Sequence, residues 1–88
     1  AGVKVLMVDE PTVGVDVKTK AYIHELLRRL AEDGAAILLI TSDMPEMIAL
    51  ADRILVMDAY RLTGEIANSR VYDPMSEAIM ACIHRDAA

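Results

Sequence analysis

The sequence predicts an α/β fold, and three observations carry that prediction. An apolar run, "VLMV" (5–8), ends in two acids and gives way to a helical stretch with one apolar face. A second apolar run, "AAILLI" (35–40), follows that helix directly. Strand, helix and strand in this order form a βαβ unit, which is right-handed by the twist of its strands. The third observation is "RILVMD" (53–58) followed at once by "RLTGEI" (61–66), two strand-like runs so close that they should pair as a hairpin.

Taken in order, the first strand is expected over Val3 to Val8, with Asp9, Glu10 and Pro11 at its end. Residues 12–15 read as a short loop containing Gly14, and Asp16 as the N-cap of a helix over 17–33. Ile23, Leu26, Leu27 and Leu30 supply the i, i+3, i+4, i+7 stripe of one buried face. Gly34 is the expected stop. The run 35–40 is continuous enough to fit a parallel strand covered on both faces. "TSDMPEM" opens a second helix that ends near Ala51: Asp43 caps it, Glu46 lies three residues on as in a capping box, and Pro45 is tolerated in the first turn. The hairpin turn "DAYR" lacks the Gly or Asn that tight hairpins favour. Asp73-Pro74 reads as an N-cap with Pro at N1, starting a helix to about His84. The expected architecture is three mostly parallel strands with flanking helices, a C-terminal β-hairpin and a final helix.

The totals bound what such a chain can be. Its 88 residues make one small domain at most, burying roughly 60–65% of the unfolded surface. An apolar content of 55% is ample for a core, built without Phe or Trp from Leu, Ile, Val, Met and Ala. The net charge of −5 and scattered Lys and Arg argue against nucleic acid as a partner. A single cysteine, Cys82, excludes an internal disulfide and reads as an inert packing residue. No apolar run approaches the ~20 residues that span a bilayer. The chain opens directly on a strand and lacks an initial Met, and a three-strand parallel sheet leaves an open edge, so further sequence upstream of Ala1 is expected.

Ligands of open α/β sheets sit beyond the carboxyl ends of the strands. Asp9 and Glu10, Thr41 to Asp43, and Asp58 are the residues expected there. Two adjacent carboxylates repel and resist burial, so a positive group should face them. Mg²⁺ fits, because it takes few carboxylates and keeps several waters, leaving one acid for the metal and the other for chemistry.

"VLMVDEPTVGVDV" (5–17) resembles the Walker B motif and D-loop of an ABC transporter ATPase: four apolar residues, Asp-Glu-Pro-Thr, then a short loop ending in Asp. "ILLITSDMPEMIALADRILVMDAYRLTGEI" (37–66) resembles the switch region, following helix and closing hairpin of the same family. Within it, "SDMPEM" and "DRILVM" are similar to the second nucleotide-binding half of the tandem ATPases that energise monosaccharide import. The resemblance covers about Val3 to Ile66 and implies part of a P-loop NTPase fold. It further implies that Asp9 binds Mg²⁺ through water beside the phosphates of ATP, and that Glu10 polarises the attacking water. Asp16 would meet the opposing nucleotide-binding half, and Ser42 would occupy the switch position. The implied partners are that opposing half and the permease subunits, on the cytoplasmic face of the inner membrane.

The sequence also departs from the family. A His usually stands where Ser42 does; Ser donates one hydrogen bond and carries no charge, so slow hydrolysis is expected. His24 and His84 lie on helices and read as ordinary packing or surface residues. Neither a G-x-x-x-x-G-K-[ST] loop nor a Ser-Gly-Gly-Gln stretch occurs in these 88 residues, so this chain alone should bind no nucleotide.

Two other readings compete. "KVLMVDEP" also resembles the opening of a receiver domain, with Asp58 as phosphoacceptor, but Lys4, Lys18 and Lys20 all precede the place where that fold needs a lysine. A non-catalytic, self-associating module would use open strand edges and Met44, Met47, Met57, Met75 and Met80, which otherwise read as core.

Overall fold

The computed structural model describes residues 4–83. The elements run β1 (Val5–Asp9), α1 (Val17–Glu32), β2 (Ala36–Ile40), α2 (Met44–Leu50), β3 (Arg53–Asp58), β4 (Arg61–Ala67) and α3 (Tyr72–Ile83). They divide into two compact units, Ala1–Ser42 and Asp43–Ala88.

The first unit is the expected βαβ. β1 and β2 pair in parallel from Val5 opposite Ala36 to Asp9 opposite Ile40. Asp16 caps α1 by accepting from the Thr19 N–H at 2.7 Å. At the other end Gly34 takes φ +104, and the Gly34 and Ala35 N–H groups donate back to Ala31 and Leu30. This is the left-handed termination that Gly permits without steric cost. Leu27 is buried, and Ile23 and Leu30 are half-buried, while Leu26 stays largely exposed.

One expectation about the parallel sheet changes. Exposure alternates along both strands, with Val5 79%, Met7 72%, Leu38 46% and Ile40 43% exposed on one face. The expected cover on both faces is therefore not supplied by the described residues. A single crossover helix covers one face only, and the other needs a second crossover. The pairings of the described residues form two two-stranded sheets, β1–β2 parallel and β3–β4 antiparallel, the latter being the expected hairpin.

The second unit packs α2 and α3 with the β3–β4 hairpin around Ile48, Ile54, Val56, Met75 and Ile79. Asp43 accepts from the Glu46 N–H at 2.9 Å, as an N-cap should, and Pro45 lies in the first turn. Glu46 itself is buried. Ala59 and Tyr60 form the hairpin turn with φ +51 and +66, the geometry of a type I′ turn made without its usual Asn-Gly. α3 begins at Tyr72, so Asp73 and Pro74 lie in its first turn and Asp73 is not the N-cap. The N-cap expectation failed because the turn around Asn68 starts the helix early: Asn68 accepts from the Arg70 N–H, and the Val71 carbonyl already accepts from Met75. The expected positions of Val3 and His84 lie outside the described residues.

The second unit also holds two features that the sequence did not disclose. The Asn68 side-chain amide donates to the carbonyls of Ile48 and Ala51 at 2.8 and 2.6 Å, tying down the C-terminal end of α2. Gly64 lies so close to α3 that a Cβ there would collide with Cys82. Cys82 is a free, half-buried thiol against the core, the packing role expected of it. Met44, Met47 and Met75 join the core, while Met57 and Met80 are exposed.

Candidate functional site

The site forms where β1 and β2 end side by side. Asp9 is the last residue of β1, exposed, in register with Ile40 at the end of β2. Thr41 and Ser42 follow Ile40 directly, the first half-buried and the second exposed. The first unit thus brings Asp9, Glu10, Thr41 and Ser42 to the carboxyl ends of two adjacent parallel strands, the position at which open α/β sheets bind ligands.

Glu10 stands one residue past the strand in an unusual backbone. Its φ is +48, in the left-handed region that non-glycine residues seldom occupy. Its N–H donates to the Ile40 carbonyl at 2.7 Å, and its carbonyl accepts from the Val13 N–H at 3.3 Å. The second bond closes a turn with Pro11 at its second position, where the fixed proline φ is favourable. Gly14 at φ +78 then redirects the chain toward α1. The sequence marks a turn here, through Pro11 and Gly14, but it does not mark the left-handed Glu10.

Asp16 caps α1 and is exposed. The backbone N–H of Thr19, and then its hydroxyl, hold the Asp16 carboxyl below its ordinary value of 3.8. Asp43 serves as the α2 cap, and Asp58 closes β3 before the hairpin turn; both belong to the second unit. His24 is half-buried on α1.

The side chains at the strand tips suit a hydrated divalent cation. An exposed carboxylate such as Asp9 can hold Mg²⁺ through water, and Mg²⁺ seldom uses an all-protein cage. Among the described residues no three His, Cys, Asp or Glu side chains form such a cage. The Thr41 and Ser42 hydroxyls add donors of the kind that meet phosphate oxygens. A glycine-rich phosphate cradle does not occur in the 88 residues.

Comparison with known proteins shows what this chain is similar to. The chain is 55% identical over 80 residues to a ribose import ATP-binding protein, RbsA 1, of Streptomyces coelicolor, covering 91% of this chain and 15% of that protein. It is 53% identical over 68 residues to the arabinose import ATP-binding protein AraG of Rhizobium meliloti, covering 77% of this chain and 13% of that one. The chain therefore spans about one-seventh of the length of these curated relatives. Among solved structures it resembles CbiO1 from Clostridium perfringens, described as part of the ABC transporter complex CbiONQ, with TM-score 0.67 and 29% identity over 88% of this chain and 30% of that one. No family model matches the chain.

The receiver reading does not survive these findings. Among the described residues β4 runs antiparallel to β3 and is followed by α3, without the further parallel strands that reading needs. By sequence and by fold, this chain is a homologue of one stretch of the ABC sugar-import ATP-binding proteins and carries part of their P-loop NTPase fold.

Proposed function

We propose that these residues are the catalytic-carboxylate and switch portion of an ATPase that powers monosaccharide import. The observation that carries this reading is the placement of Asp9 and Glu10 beside Thr41-Ser42 at adjoining parallel strand tips, in a chain about half identical to ribose and arabinose import ATP-binding proteins. In the complete protein Asp9 would hold Mg²⁺ through water, and the ion would supply charge stabilisation to the ATP phosphates. Glu10 polarises the attacking water, and Ser42 offers one hydrogen bond to the γ-phosphate. Most of the rate of phosphoryl transfer comes from positioning and electrostatics, with the general base adding its share. Asp16 meets the opposing nucleotide-binding half while its carboxylate also caps α1. The complete protein works with permease subunits, peripherally on the cytoplasmic face of the membrane. No helix among the described residues is long and apolar enough to cross a membrane.

The uncovered apolar face of β1 and β2 supports this reading, because buried parallel sheets are covered on both sides. In the complete protein, sequence outside these residues covers it; in the isolated chain, a second copy is the substitute. Light scattering over a range of concentrations detects that substitution as a rising mass.

The test is Glu10→Gln in the complete protein. ATP turnover should fall by about 10²–10⁴-fold while Mg-ATP binding persists. Turnover that is unchanged would remove Glu10 from the mechanism.

A further inference from the structure

The conformation of Glu10 has a physical cost, and three groups hold it in place. A glutamate with φ +48 is disfavoured roughly tenfold relative to a glycine there. Such strain persists where the surroundings over-determine the backbone, and it gathers at functional sites. The Glu10 N–H is fixed to the Ile40 carbonyl and its own carbonyl to the Val13 N–H. The third group is Pro11, whose ring crowds the preceding residue, disfavours the right-handed helical region for Glu10 and leaves the two hydrogen bonds to choose against the extended one. An extended Glu10 would carry the chain straight on past the sheet and break the bond from Val13. The left-handed region is the one that keeps both hydrogen bonds with Pro11 in place.

We propose that Pro11 is a positioning residue: together with the Ile40 carbonyl it holds the Glu10 backbone in one strained, left-handed conformation before any ligand arrives. This rests on the reading of Glu10 as the residue that polarises water. The Ile40 carbonyl belongs to the peptide that leads into Thr41 and Ser42. The base and the switch segment therefore share one hydrogen-bonded junction, and displacement of residues 41–42 is felt at Glu10. A general base works only within a narrow range of geometry, so a backbone fixed in advance removes a search that the reaction would otherwise make.

The experiment uses the 88-residue chain, isotopically labelled, with no nucleotide present. NMR of the unsubstituted chain should show left-handed Cα and Cβ shifts at Glu10 and a slowly exchanging Glu10 amide. Pro11→Ala should move those shifts toward averaged values and speed exchange of that amide by about tenfold or more, with the β1–β2 ladder amides unchanged. Glu10→Gly should keep its protection and melt at a higher temperature than Glu10→Ala, because glycine adopts the same φ without the steric cost. Wild-type shifts and exchange at Glu10 in Pro11→Ala would overturn the proposal. Loss of protection along the whole ladder, or failure of that variant to fold, would also overturn it by making Pro11 merely structural. A Glu10→Gly chain no more stable than Glu10→Ala would refute the strain. None of these readouts involves ATP, so a failure of the ATPase reading would show separately, in the turnover of the complete protein.

Discussion

Gly64→Ala should destabilise the hairpin unit, and Cys82→Ala should rescue it. An added Cβ at Gly64 would collide with the Cys82 Sγ and lie 3.1 Å from its Cβ. The thiol can swing away about one bond, at the expense of its place against the core. The Cys82 Cβ, at 3.1 Å, needs only a few tenths of an ångström of give, so the displaced thiol carries most of the cost. Overpacking of this kind costs about 1–3 kcal/mol. The gain from replacing a strand glycine offsets roughly 0.5–1 kcal/mol of that. The net loss is about 1 kcal/mol and at most about 2.5, and at about 4–8 °C per kcal/mol Tm should fall by roughly 4–8 °C. Adding Cys82→Ala removes the sulfur and leaves only the milder Cβ contact. The double variant should therefore recover most of the loss, with a coupling of about 1 kcal/mol in a double-mutant cycle. The assay is urea and thermal unfolding followed by far-UV circular dichroism, on the wild-type chain and all three variants. Additive effects, or a neutral Gly64→Ala, would refute the close approach of β4 and α3.

Four further outcomes follow from the same geometry. Replacing Ala59-Tyr60 by Asn-Gly should raise Tm by about 5–10 °C, since both positions have φ above zero and Tyr60 is fully exposed, with no packing to lose; a lower Tm would contradict the turn assignment. The Asp16 carboxyl is held below 3.8 by the Thr19 N–H, so its contribution to α1 is present above that pH and is lost as pH falls through the folded value. Acid titration of α1 helicity should accordingly be shallower in Asp16→Asn, which caps without titrating, and equal titrations would exclude the cap as the cause. Ser42→His in the complete protein should raise ATP turnover severalfold if the switch position limits the rate, and unchanged turnover would place the limit elsewhere. Calorimetry on the 88-residue chain should detect no Mg-ATP binding, and micromolar affinity would contradict that expectation.

The fold was legible where local chemistry decides it. Asp16, Gly34 and Asp43 act where the capping rules place them, because a cap needs only its own helix end. The parallel pairing of β1 and β2 followed from the βαβ order. What the sequence did not convey depends on distant partners. The bare face of Val5, Met7, Leu38 and Ile40 looked like the interior of a covered sheet, because an apolar run does not say which element covers it. The early start of α3 reflects the turn at Asn68, and the clamp from Asn68 to Ile48 and Ala51 spans 20 and 17 residues, beyond any local signal. At the strand tips, the βαβ order placed Asp9 and Glu10 beside Thr41 and Ser42, and β1 and β2 do end side by side there. The left-handed backbone of Glu10 was not legible, since it arises from the ladder bond to Ile40 acting together with Pro11.

The coding sequence immediately upstream of Ala1 tests most directly whether Asp9 and Glu10 serve a nucleotide. An in-frame G-x-x-x-x-G-K-[ST] phosphate loop, followed roughly a hundred residues later by a Ser-Gly-Gly-Gln stretch, is expected there. An unrelated upstream sequence, or a start codon adjoining Ala1, would contradict that reading and leave Asp9 and Glu10 without a nucleotide to act on.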